Sequence, residues 1–416
     1  MAIPEVELGM RRAVTGLAVT LLAAGCADSG SVDVPIVREI VSPAGEGSGE
    51  PFVGRAPDGR VLMSWLEAQP DSMFALRLAA WDGVAWSDPA TVTVGSDLFV
   101  NWADFPSVHA LADGRLAAHW LRRSGAGRYA YDVNLAFSSD GGETWSEPIT
   151  PHRDGTPTEH GFVSLFDAPD GGLGAVWLDG RNFAGESESG GEHGGGADMT
   201  LRYARILSDG SLADEHVLDD RTCECCQTSA ALTADGPVVV YRDRSPAEVR
   251  NIAVQRLGPN GWTQPAPLHD DAWQVPGCPV NGPAVDAIGR RVVVAWFTAP
   301  GDTARVHVAF SDDGGASFGA PIRADDGDPT GRVDVQVRAD GTALLSWLER
   351  TEEAAEVRVR RVMANGHLGP AATVVESTPA RASGFPRMAP IGDDLLIAWT
   401  DPATTRVRVA VLTAGF

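Results

Sequence analysis

The 416-residue sequence contains no lysine, so all 33 of its Lys-plus-Arg residues are arginine, and it shows no long heptad pattern. The missing heptads argue against a coiled coil or a long helical bundle. The basic residues are outnumbered by 56 acidic residues, and the formal net charge is −23. A chain so negative repels a phosphate backbone, and we therefore expect no nucleic-acid partner. The length allows one large β domain or two or three smaller domains.

Long apolar runs are also lacking, with one exception near the start of the chain. The run Ala13–Ala24 follows Arg11 and Arg12 and is followed by Gly25 and Cys26. A basic segment, a short apolar segment and small residues are typical of an export signal, and the run is too short to span a bilayer as a mature helix. The ending Leu-Leu-Ala-Ala-Gly-Cys resembles a bacterial lipoprotein box, which implies lipidation of Cys26.

These features predict a signal peptide over residues 1–26 and a short tether over residues 27–31. The mature protein is then exported to the cell envelope and held by its lipid on a membrane, in the periplasm or at the cell surface. Plain secretion with an unmodified Cys26 is the alternative.

Beyond the tether, one pattern recurs seven times. Each copy has a β-like run, a turn of the Asp-Gly type and a hydrophobic run that ends in an aromatic residue. The aromatic residues recur about every 50–65 positions, which is the size of a four-stranded propeller blade. The copies are Pro51–Trp65, Phe105–Trp120, Phe162–Trp177, Thr228–Tyr241, Pro283–Trp296, Val333–Trp347 and Pro386–Trp399.

A second hairpin follows each of the first six copies, which gives four strands per blade, named A to D from the axis outward. The seventh copy has a single further strand, Arg406–Thr413, and the N-terminal segment Val32–Val41 is expected to complete its blade and close the ring. We therefore predict an all-β protein, a seven-bladed β-propeller of four-stranded antiparallel blades that occupies residues 32–416 as one domain. Six blades with one decorating copy is the alternative.

Two tight turns within these hairpins carry a family resemblance. Ser138–Trp145 reads Ser-Ser-Asp-Gly-Gly-Glu-Thr-Trp, and Ser311–Phe318 repeats it with Phe in place of Trp. The spacing Ser-x-Asp-x-Gly-x-x-Trp resembles the Asp-box (BNR) repeat of sialidase-like propellers. In that family the box is a structural turn, and the fold hosts many activities, so the resemblance implies the architecture more strongly than the chemistry.

The loops from strand D to the next strand A, and from B to C, share one face of a propeller, around the mouth of its central channel. The unusual residues of blades two to five fall on these loops, so we expect the functional region there. They are Asn101–Asp104, His152–His160, Asp179–Asn182, Ala184–Gly196, Cys223–Cys226, Arg242–Arg244 and Trp273–Asn281.

Four cysteines enter blades four and five at equivalent heights: Cys223, Cys225, Cys226 and Cys278. One interpretation is a disulfide across the blades, from Cys278 to Cys226 or Cys223, as suits an exported protein. Another is a soft-metal site for copper or zinc, which thiolates and imidazoles favour. A reactive redox thiol is a third. The auxiliary metal ligands would be His152, His160 and His193. Binding of a ligand or metal at this Cys/His-lined mouth is the leading functional prediction.

The rival prediction is a glycan-active enzyme, an exo-sialidase-like glycoside hydrolase. The resemblance implies an arginine triad around a carboxylate, a Tyr–Glu nucleophile pair and an aspartate acid/base. Tyr129 and Tyr131 are expected to reach the mouth, but the sequence assigns no Tyr–Glu pair. The candidate arginines are Arg55, Arg181, Arg332 and Arg387. A different glycosidase or lyase is a further alternative, which would use two carboxylates at a suitable separation. The candidate carboxylates are Asp104, Asp154, Glu159, Asp179 and Asp243.

A third possibility is a monomeric surface scaffold whose cysteines are purely structural. Its partners would be other molecules at the envelope rather than a small molecule, metal or glycan bound at the mouth.

Overall fold

The structure is a computed structural model that describes residues 1–2, 35–168, 171–185, 197–207 and 209–413. Residues 3–26 of the predicted signal peptide (Cys26 among them), the tether and His193 lie outside the described residues. The described chain forms strands and four short 3₁₀ helices: Pro70–Ser72, Arg181–Phe183, Pro300–Asp302 and Arg381–Ser383. Within these ranges no helix has the length and apolar character needed to cross a membrane.

The strands follow one another blade by blade. The N-terminal strand is β1 (Ile36–Ile40). Blades one to three contain β2 (Ser48–Arg55), β3 (Val61–Gln69), β4 (Met73–Trp81), β5 (Ala90–Gly95); β6 (Ser107–Ala110), β7 (Leu116–Arg123), β8 (Tyr131–Ser138); β9 (His160–Asp167), β10 (Leu173–Asp179), β11 (Met199–Ile206) and β12 (Leu212–Thr222). Blades four and five contain β13 (Ser229–Thr233), β14 (Gly236–Arg242), β15 (Ile252–Gly258), β16 (Gly261–Trp262), β17 (Ala266–Pro267); β18 (Ala284–Ile288), β19 (Arg291–Thr298), β20 (Arg305–Ser311) and β21 (Ile322–Arg323). Blades six and seven contain β22 (Pro329–Val337), β23 (Ala343–Arg350), β24 (Ala355–Val362), β25 (Ala372–Ser377); β26 (Arg387–Ile391), β27 (Asp394–Asp401) and β28 (Arg406–Thr413).

Seven antiparallel sheets form a ring, which confirms the predicted seven-bladed all-β propeller and rules out the six-bladed alternative. β1 pairs with β28, with Ile36 opposite Thr413, so the N-terminal strand completes blade seven as predicted. In blade two the outermost strand is reduced to a single bridge between Leu135 and Ile149. The contacts group Val32–Phe416 as one compact unit.

The aromatic residues near the ends of the B strands form the core, as predicted. All seven are at most 3% exposed: Trp65, Trp120, Trp177, Tyr241, Trp296, Trp347 and Trp399. A buried indole N–H needs an acceptor. In blades one, three and six that acceptor is the carboxylate two residues further along the chain, at 3.0, 2.8 and 2.6 Å. We call these indole–carboxylate pairs, and they are Trp65–Glu67, Trp177–Asp179 and Trp347–Glu349.

The turn Ser138–Trp145 lies between strands C and D, on the face opposite the mouth. The hydroxyl of Ser138 donates to Asp140 (2.8 Å) and accepts the N–H of Gly142 (2.9 Å). Asp140 then accepts the N–H of Thr144 at 3.0 Å. The same three bonds recur in the second turn, which begins at Ser311. Both turns therefore stabilise hairpins, as expected, and lie away from the mouth.

The A strands of all seven blades line a central cavity of about 500 Å³. At the mouth, β9 and β22 begin with a bulge, where Phe162 and Arg332 each have φ of 54°. Each residue donates its N–H to a side chain of the preceding blade, to Asp104 at 2.7 Å and to Asn281 at 2.8 Å. Asp104 thus has a bracing role that Asn281 repeats elsewhere in the ring.

Candidate functional site

Two histidines stack face to face at the mouth, between blades two and three. The ring centroids of His152 and His160 are 3.8 Å apart, and the ring planes differ by 3°. His160 is fully buried and His152 is 5% exposed. Three carboxylates surround the pair, from Asp132 in β8, Asp154 in the loop before β9 and Asp179 at the end of β10. We call these five residues the histidine cluster.

Both ring nitrogens of His160 face hydrogen-bond acceptors, and a neutral ring has an N–H for only one of the two sides. Its Nδ1 lies 3.3 Å from the carbonyl oxygen of Tyr131 and 3.2 Å from that of Thr158, so this nitrogen carries a proton. Its Nε2 faces oxygens of Asp154 and Asp179, at 3.3 and 3.8 Å. A neutral imidazole has one N–H. Its Nε2 lone pair would therefore point at two carboxylates unless a proton or a metal cation lies between them.

The surrounding charges select His160 as the protonated ring of the pair. Burial alone would lower the pKa of His160, but the nearby carboxylates raise it above its ordinary value. The pKa of His152 is lowered to about 4, first by burial and then by the positive charge on His160. Because two stacked imidazolium ions would repel each other, protonation of the pair favours a single charge, on His160.

Three buried atoms of the cluster make no hydrogen bond: Nε2 of His152, Nε2 of His160 and Oδ1 of Asp132. Asp132 Oδ1 lies 3.9 Å from His152 Nε2 and 3.5 Å from His160 Nδ1. A ring nitrogen of each histidine and an oxygen of Asp132 lie within 4.8 Å of one another, and the same holds for ligand atoms of Asp154, His160 and Asp179. Imidazole nitrogens and carboxylate oxygens at this spacing are donors that suit a divalent transition metal.

Asp179 and Arg181, both candidate catalytic residues, hold each other. Arg181 donates from Nε and from Nη2 to the two oxygens of Asp179, both at 2.7 Å. Asp179 is also the acceptor of the Trp177 indole. Arg181 further lies 3.4 Å from Asp154 and 3.2 Å from Glu215. Asp179 therefore has a structural role, and Arg181 ties it to the loop that carries Asp154.

The hydroxyl of Tyr131 bridges two other candidate carboxylates, Glu159 at 2.8 Å and Asp104 at 2.9 Å. The three residues are 0%, 7% and 1% exposed, in that order. One hydroxyl proton serves one carboxylate at a time, so a second proton must be shared for both contacts to be favourable. Burial raises the pKa of Glu159 to about 8 and that of Asp104 to about 7, and such a proton is therefore retained near neutral pH.

Gly161 makes room for this bridge. A Cβ at this position would lie 2.0 Å from Asp104 Oδ2 and 2.8 Å from the ring of Tyr131. The hydrogen bond between Tyr131 and Glu159 supplies a Tyr–Glu pair that the sequence did not assign.

The cysteines form a second centre, and their pairing differs from the prediction. The disulfide joins Cys225 to Cys278, not Cys278 to Cys226 or Cys223. The reason is the turn at Glu224–Cys225, which directs Cys223 and Cys226 into the interior, where they are 0% and 1% exposed. Cys225 is left partly exposed beside the loop that carries Cys278. The disulfide removes Cys225 and Cys278 from the predicted metal-ligand set in this oxidation state.

Cys223 and Cys226 are thiols whose sulfurs lie 3.1 Å apart. Cys223 Sγ is also 4.0 Å from Cys225 Sγ, and it accepts a hydrogen bond from Nη1 of Arg250 at 3.1 Å. Burial alone would raise the pKa of Cys223, but contact with the Cys226 thiol and the charge of Arg250 lower it to about 7. Burial and the neighbouring Cys223 raise the pKa of Cys226 well above its ordinary value. One sulfur of the pair is thus a thiolate near neutral pH, and the other stays protonated.

The acid that holds Arg250 in place is Glu224, which lies between Cys223 and Cys225 in the chain. Arg250 donates to Glu224 Oε2 at 2.8 Å, and Arg244 donates to the other oxygen. Both arginines also contact Glu248. This network fixes the guanidinium of Arg250 against the Cys223 sulfur.

Of the two remaining candidates, Asp243 borders the cysteine centre, where it forms a bridge with Thr222 and accepts the N–H of Arg244 at 2.6 Å. Burial raises the pKa of Asp243 to about 6. Arg387 lies at the central cavity, 3.5 Å from Asp334, with its guanidinium over the rings of Phe52 and Phe105.

Two of the four candidate arginines are already held by other groups of the protein. Arg332 is 4% exposed, donates to three backbone carbonyls and packs over Trp102, while Arg181 is held by Asp179. These two guanidiniums are therefore occupied, and only Arg55 and Arg387 of the four line the cavity.

Sequence reasoning missed Asp132 and Arg250. Asp132 is the second residue of β8, which follows the B-to-C loop of blade two. Since B-to-C loops were expected to reach the mouth, extending that loop into the start of β8 would have identified Asp132. Arg250 had no local signal, because its contact with Cys223 spans 27 positions.

No protein-family model matches the chain, and no curated protein matches it. Among solved structures, a protein of unknown function from Dyadobacter fermentans is similar over 91% of this chain and 99% of its own, with a TM-score of 0.51 and 15% identity. The polysaccharide lyase Uly1 is similar over 88% and 90%, with a TM-score of 0.50 and 9% identity. The NanB sialidase of Streptococcus pneumoniae is similar over 91% and 94%, with a TM-score of 0.47 and 8% identity. At such identities the likeness shows a shared propeller fold and leaves the activity open.

Proposed function

We propose that the protein is an exported β-propeller that binds a divalent transition-metal ion in the histidine cluster. The observation that carries this proposal is that Asp132 Oδ1 and His152 Nε2, which lie 3.9 Å apart, are buried and make no hydrogen bond, beside Nδ1 of His160. A buried polar atom without a partner costs free energy, and a cation between these two atoms would remove that cost for both.

The charge balance supports a cation at the same place. The carboxylates of Asp132, Asp154 and Asp179 face two guanidiniums, because Arg181 contacts Asp154 and Asp179 and Arg202 lies 3.8 Å from Asp179. Both arginines also contact a fourth carboxylate, that of Glu215, at 3.2 Å. With neutral histidines, four carboxylates and two guanidiniums leave a surplus of negative charge that a divalent ion would balance.

The hydrogen bonds favour the Asp132 side of the rings, where His160 presents Nδ1, and a metal bound there displaces the proton of that nitrogen. The oxygens of Asp154 and Asp179 already accept bonds, from Thr156 and from Arg181. Asp132 Oδ1 is buried and accepts none, but the Asp132 side chain as a whole is 33% exposed and so borders solvent. Three protein ligands with one open position is the arrangement of metal sites that also bind a further molecule.

The donor set narrows the choice of metal. Imidazole and carboxylate suit Zn²⁺ and Cu²⁺, whereas Cu(I) prefers thiolates, and the described residues place no thiol in this cluster. The proposed ion is therefore copper or zinc, bound at the histidines and not at the cysteines.

Isothermal titration with Zn²⁺ and with Cu²⁺, on protein stripped by a chelator and dialysed, tests the proposal. We expect one site per chain, and a loss of affinity of about 100-fold in His152→Ala and in His160→Ala, since each removes a ligand. The matched control is His109→Ala, because His109 pairs with Asp167 at 3.1 Å outside the cluster. Equal affinities in all four proteins, or no heat from the wild type, would refute the metal site.

A glycan-active enzyme is the second candidate function, favoured by the hydrogen-bonded Tyr131–Glu159 pair. This is the arrangement that the sialidase-like resemblance implies, with Asp104 as a neighbouring acid. It ranks second because Tyr131 is fully buried, so that a sugar reaches it only if the mouth opens.

Product release from a panel of sialosides and acidic polysaccharides tests this second candidate. Tyr131→Phe should abolish release, and Tyr203→Phe, which changes a tyrosine of β11 away from the pair, should retain it. A wild type that releases no product from the panel would eliminate the enzyme, and failure of both tests would leave the surface scaffold.

Export and lipidation of Cys26 remain part of the proposal. The Cys225–Cys278 disulfide supports export, because such bonds persist in oxidising compartments. Cell fractionation of the full chain should place it in the membrane fraction, and Cys26→Ser should release it from that fraction. Equal fractionation of both proteins would contradict the anchor.

A further inference from the structure

The four mature cysteines form a compact group that the metal proposal does not use. Cys223 Sγ lies 3.1 Å from Cys226 Sγ and 4.0 Å from Cys225 Sγ, and Cys225 is bonded to Cys278. A dithiol is therefore in contact with a disulfide. The dithiol is buried, whereas both sulfurs of the disulfide belong to partly exposed residues.

We propose that this group is a thiol–disulfide relay. The Cys223–Cys226 dithiol is the buried redox couple, and the Cys225–Cys278 disulfide connects it to small-molecule disulfides and thiols outside the protein. The substrate class is a low-molecular-weight disulfide such as oxidised glutathione.

The first step is an exchange within the protein. The Cys223 thiolate attacks Cys225 Sγ, a Cys223–Cys225 bond forms, and the Cys225–Cys278 bond breaks. Cys278 leaves as a thiolate, and the proton that Cys223 had released goes to solvent. This step changes no oxidation state, so it needs no external reagent.

The next steps pass two electrons outward. The Cys278 thiolate attacks an external disulfide, forms a mixed disulfide and releases one thiolate. Cys226 loses its proton and attacks Cys223, which forms the Cys223–Cys226 disulfide and frees Cys225. Cys225 then attacks Cys278, restores the original bond and expels the second thiolate. In sum, the dithiol is oxidised, one external disulfide is reduced to two thiols, and the protons of the dithiol go to those thiols.

Two features of the site favour this chemistry over an inert pair of thiols. The guanidinium of Arg250 contacts Cys223 Sγ, where it stabilises the thiolate that must attack. The partly exposed disulfide is the contact through which an external disulfide can reach this pair, because Cys223 and Cys226 are at most 1% exposed.

Oxidation of the purified protein by oxidised glutathione tests the relay, with acid quenching, alkylation and disulfide mapping by mass spectrometry. In the wild type we expect a Cys223–Cys226 disulfide beside the original one. In the double variant Cys225→Ser/Cys278→Ser the same bond should form at least about tenfold more slowly, because no sulfur connects the buried pair to solvent. Equal rates, or no Cys223–Cys226 bond in the wild type, would overturn the proposal.

The double variant lacks the disulfide that links two loops, so a slower reaction alone does not separate loss of the relay from a change in folding. A second measurement therefore uses the protein with all four cysteines. Iodoacetamide added to native wild type should trap Cys278 as the alkylated thiol, together with a Cys223–Cys225 bond. Arg250→Met should reduce this trapping about tenfold through loss of the thiolate. The control Arg256→Met removes a cation from the same blade and should leave the trapping unchanged. Absence of alkylated Cys278 in the wild type would overturn the exchange step.

Discussion

Asp179 in blade three and Glu349 in blade six hold the same place in the repeat, yet they have different neighbours. Each accepts the indole N–H of a buried tryptophan two residues earlier, at 2.8 and 2.6 Å. Glu349 otherwise accepts backbone N–H groups of the loop before β22. Asp179 instead faces Arg181 and the imidazole of His160. The repeat therefore supplies the carboxylate, and the loop before β9 adds the groups that make a site.

The difference between Asp179 and Glu349 indicates how to distinguish structural polar residues from functional ones in a propeller. A polar residue with a counterpart in other blades, such as Asp104 with Asn281, has a bracing role that explains its burial. The stacked histidines and the thiol pair have no such counterpart among the described blades, and function is expected where the repeat is interrupted.

The largest effect should come from breaking the indole–carboxylate pair in blade six. Trp347→Ala removes a fully buried ring and should lower the free energy of unfolding by about 3–5 kcal/mol. Metal affinity should stay that of the wild type, because blade six contributes nothing to the histidine cluster. Urea denaturation and metal titration measure the two quantities. A large loss of metal affinity in folded Trp347→Ala would break the comparison.

A pair of matched substitutions tests directly whether Asp179 and Glu349 differ in role. Asp179→Asn should cost about 1–3 kcal/mol of stability, since Arg181 loses a buried charged partner. Glu349→Gln keeps an acceptor for the indole and should cost about 1 kcal/mol or less. Urea denaturation of both variants at one pH gives the values. Equal costs would show that the two positions are equivalent, contrary to the account.

The third effect concerns the pH dependence of stability. The pKa of Glu159 is raised to about 8 in the folded protein, from an ordinary value of 4.5 when unfolded. Between these values the folded state holds the extra proton, so stability should fall as the pH rises through this window. Glu159→Gln should reduce that fall by about 1–3 kcal/mol between pH 5 and pH 9.

The control for the pH series is Glu376→Gln, which removes the same charge from an exposed strand residue. Denaturation at several pH values should give the control the slope of the wild type. If Glu159→Gln also keeps that slope, the buried proton of the Tyr131 bridge does not exist.

The sequence predicted the ring of blades well because its signal is repeated. Seven buried aromatics at a regular spacing each indicate one blade. Because the seventh copy has only three strands, the N-terminal segment was expected to supply the fourth, and β1 does so. The mouth was located for the same reason, since strand order alone decides which loops share a face.

The arrangement within the mouth was not predictable, because it depends on side-chain direction in irregular loops. Cys225 and Cys226 are neighbours in the chain, yet one forms the disulfide and the other is a buried thiol. The stacking of His152 on His160 depends likewise on a seven-residue loop between them. His193 was predicted as a further ligand, and it lies outside the described residues.

The most direct test of the account is anomalous diffraction from crystals soaked in Zn²⁺, recorded on both sides of the zinc absorption edge. We expect a single strong peak within coordination distance of Asp132 Oδ1, His152 Nε2 and a nitrogen of His160, about 2.0–2.2 Å from each. A peak at the Cys223 and Cys226 sulfurs instead, or no peak at the histidines, would contradict it.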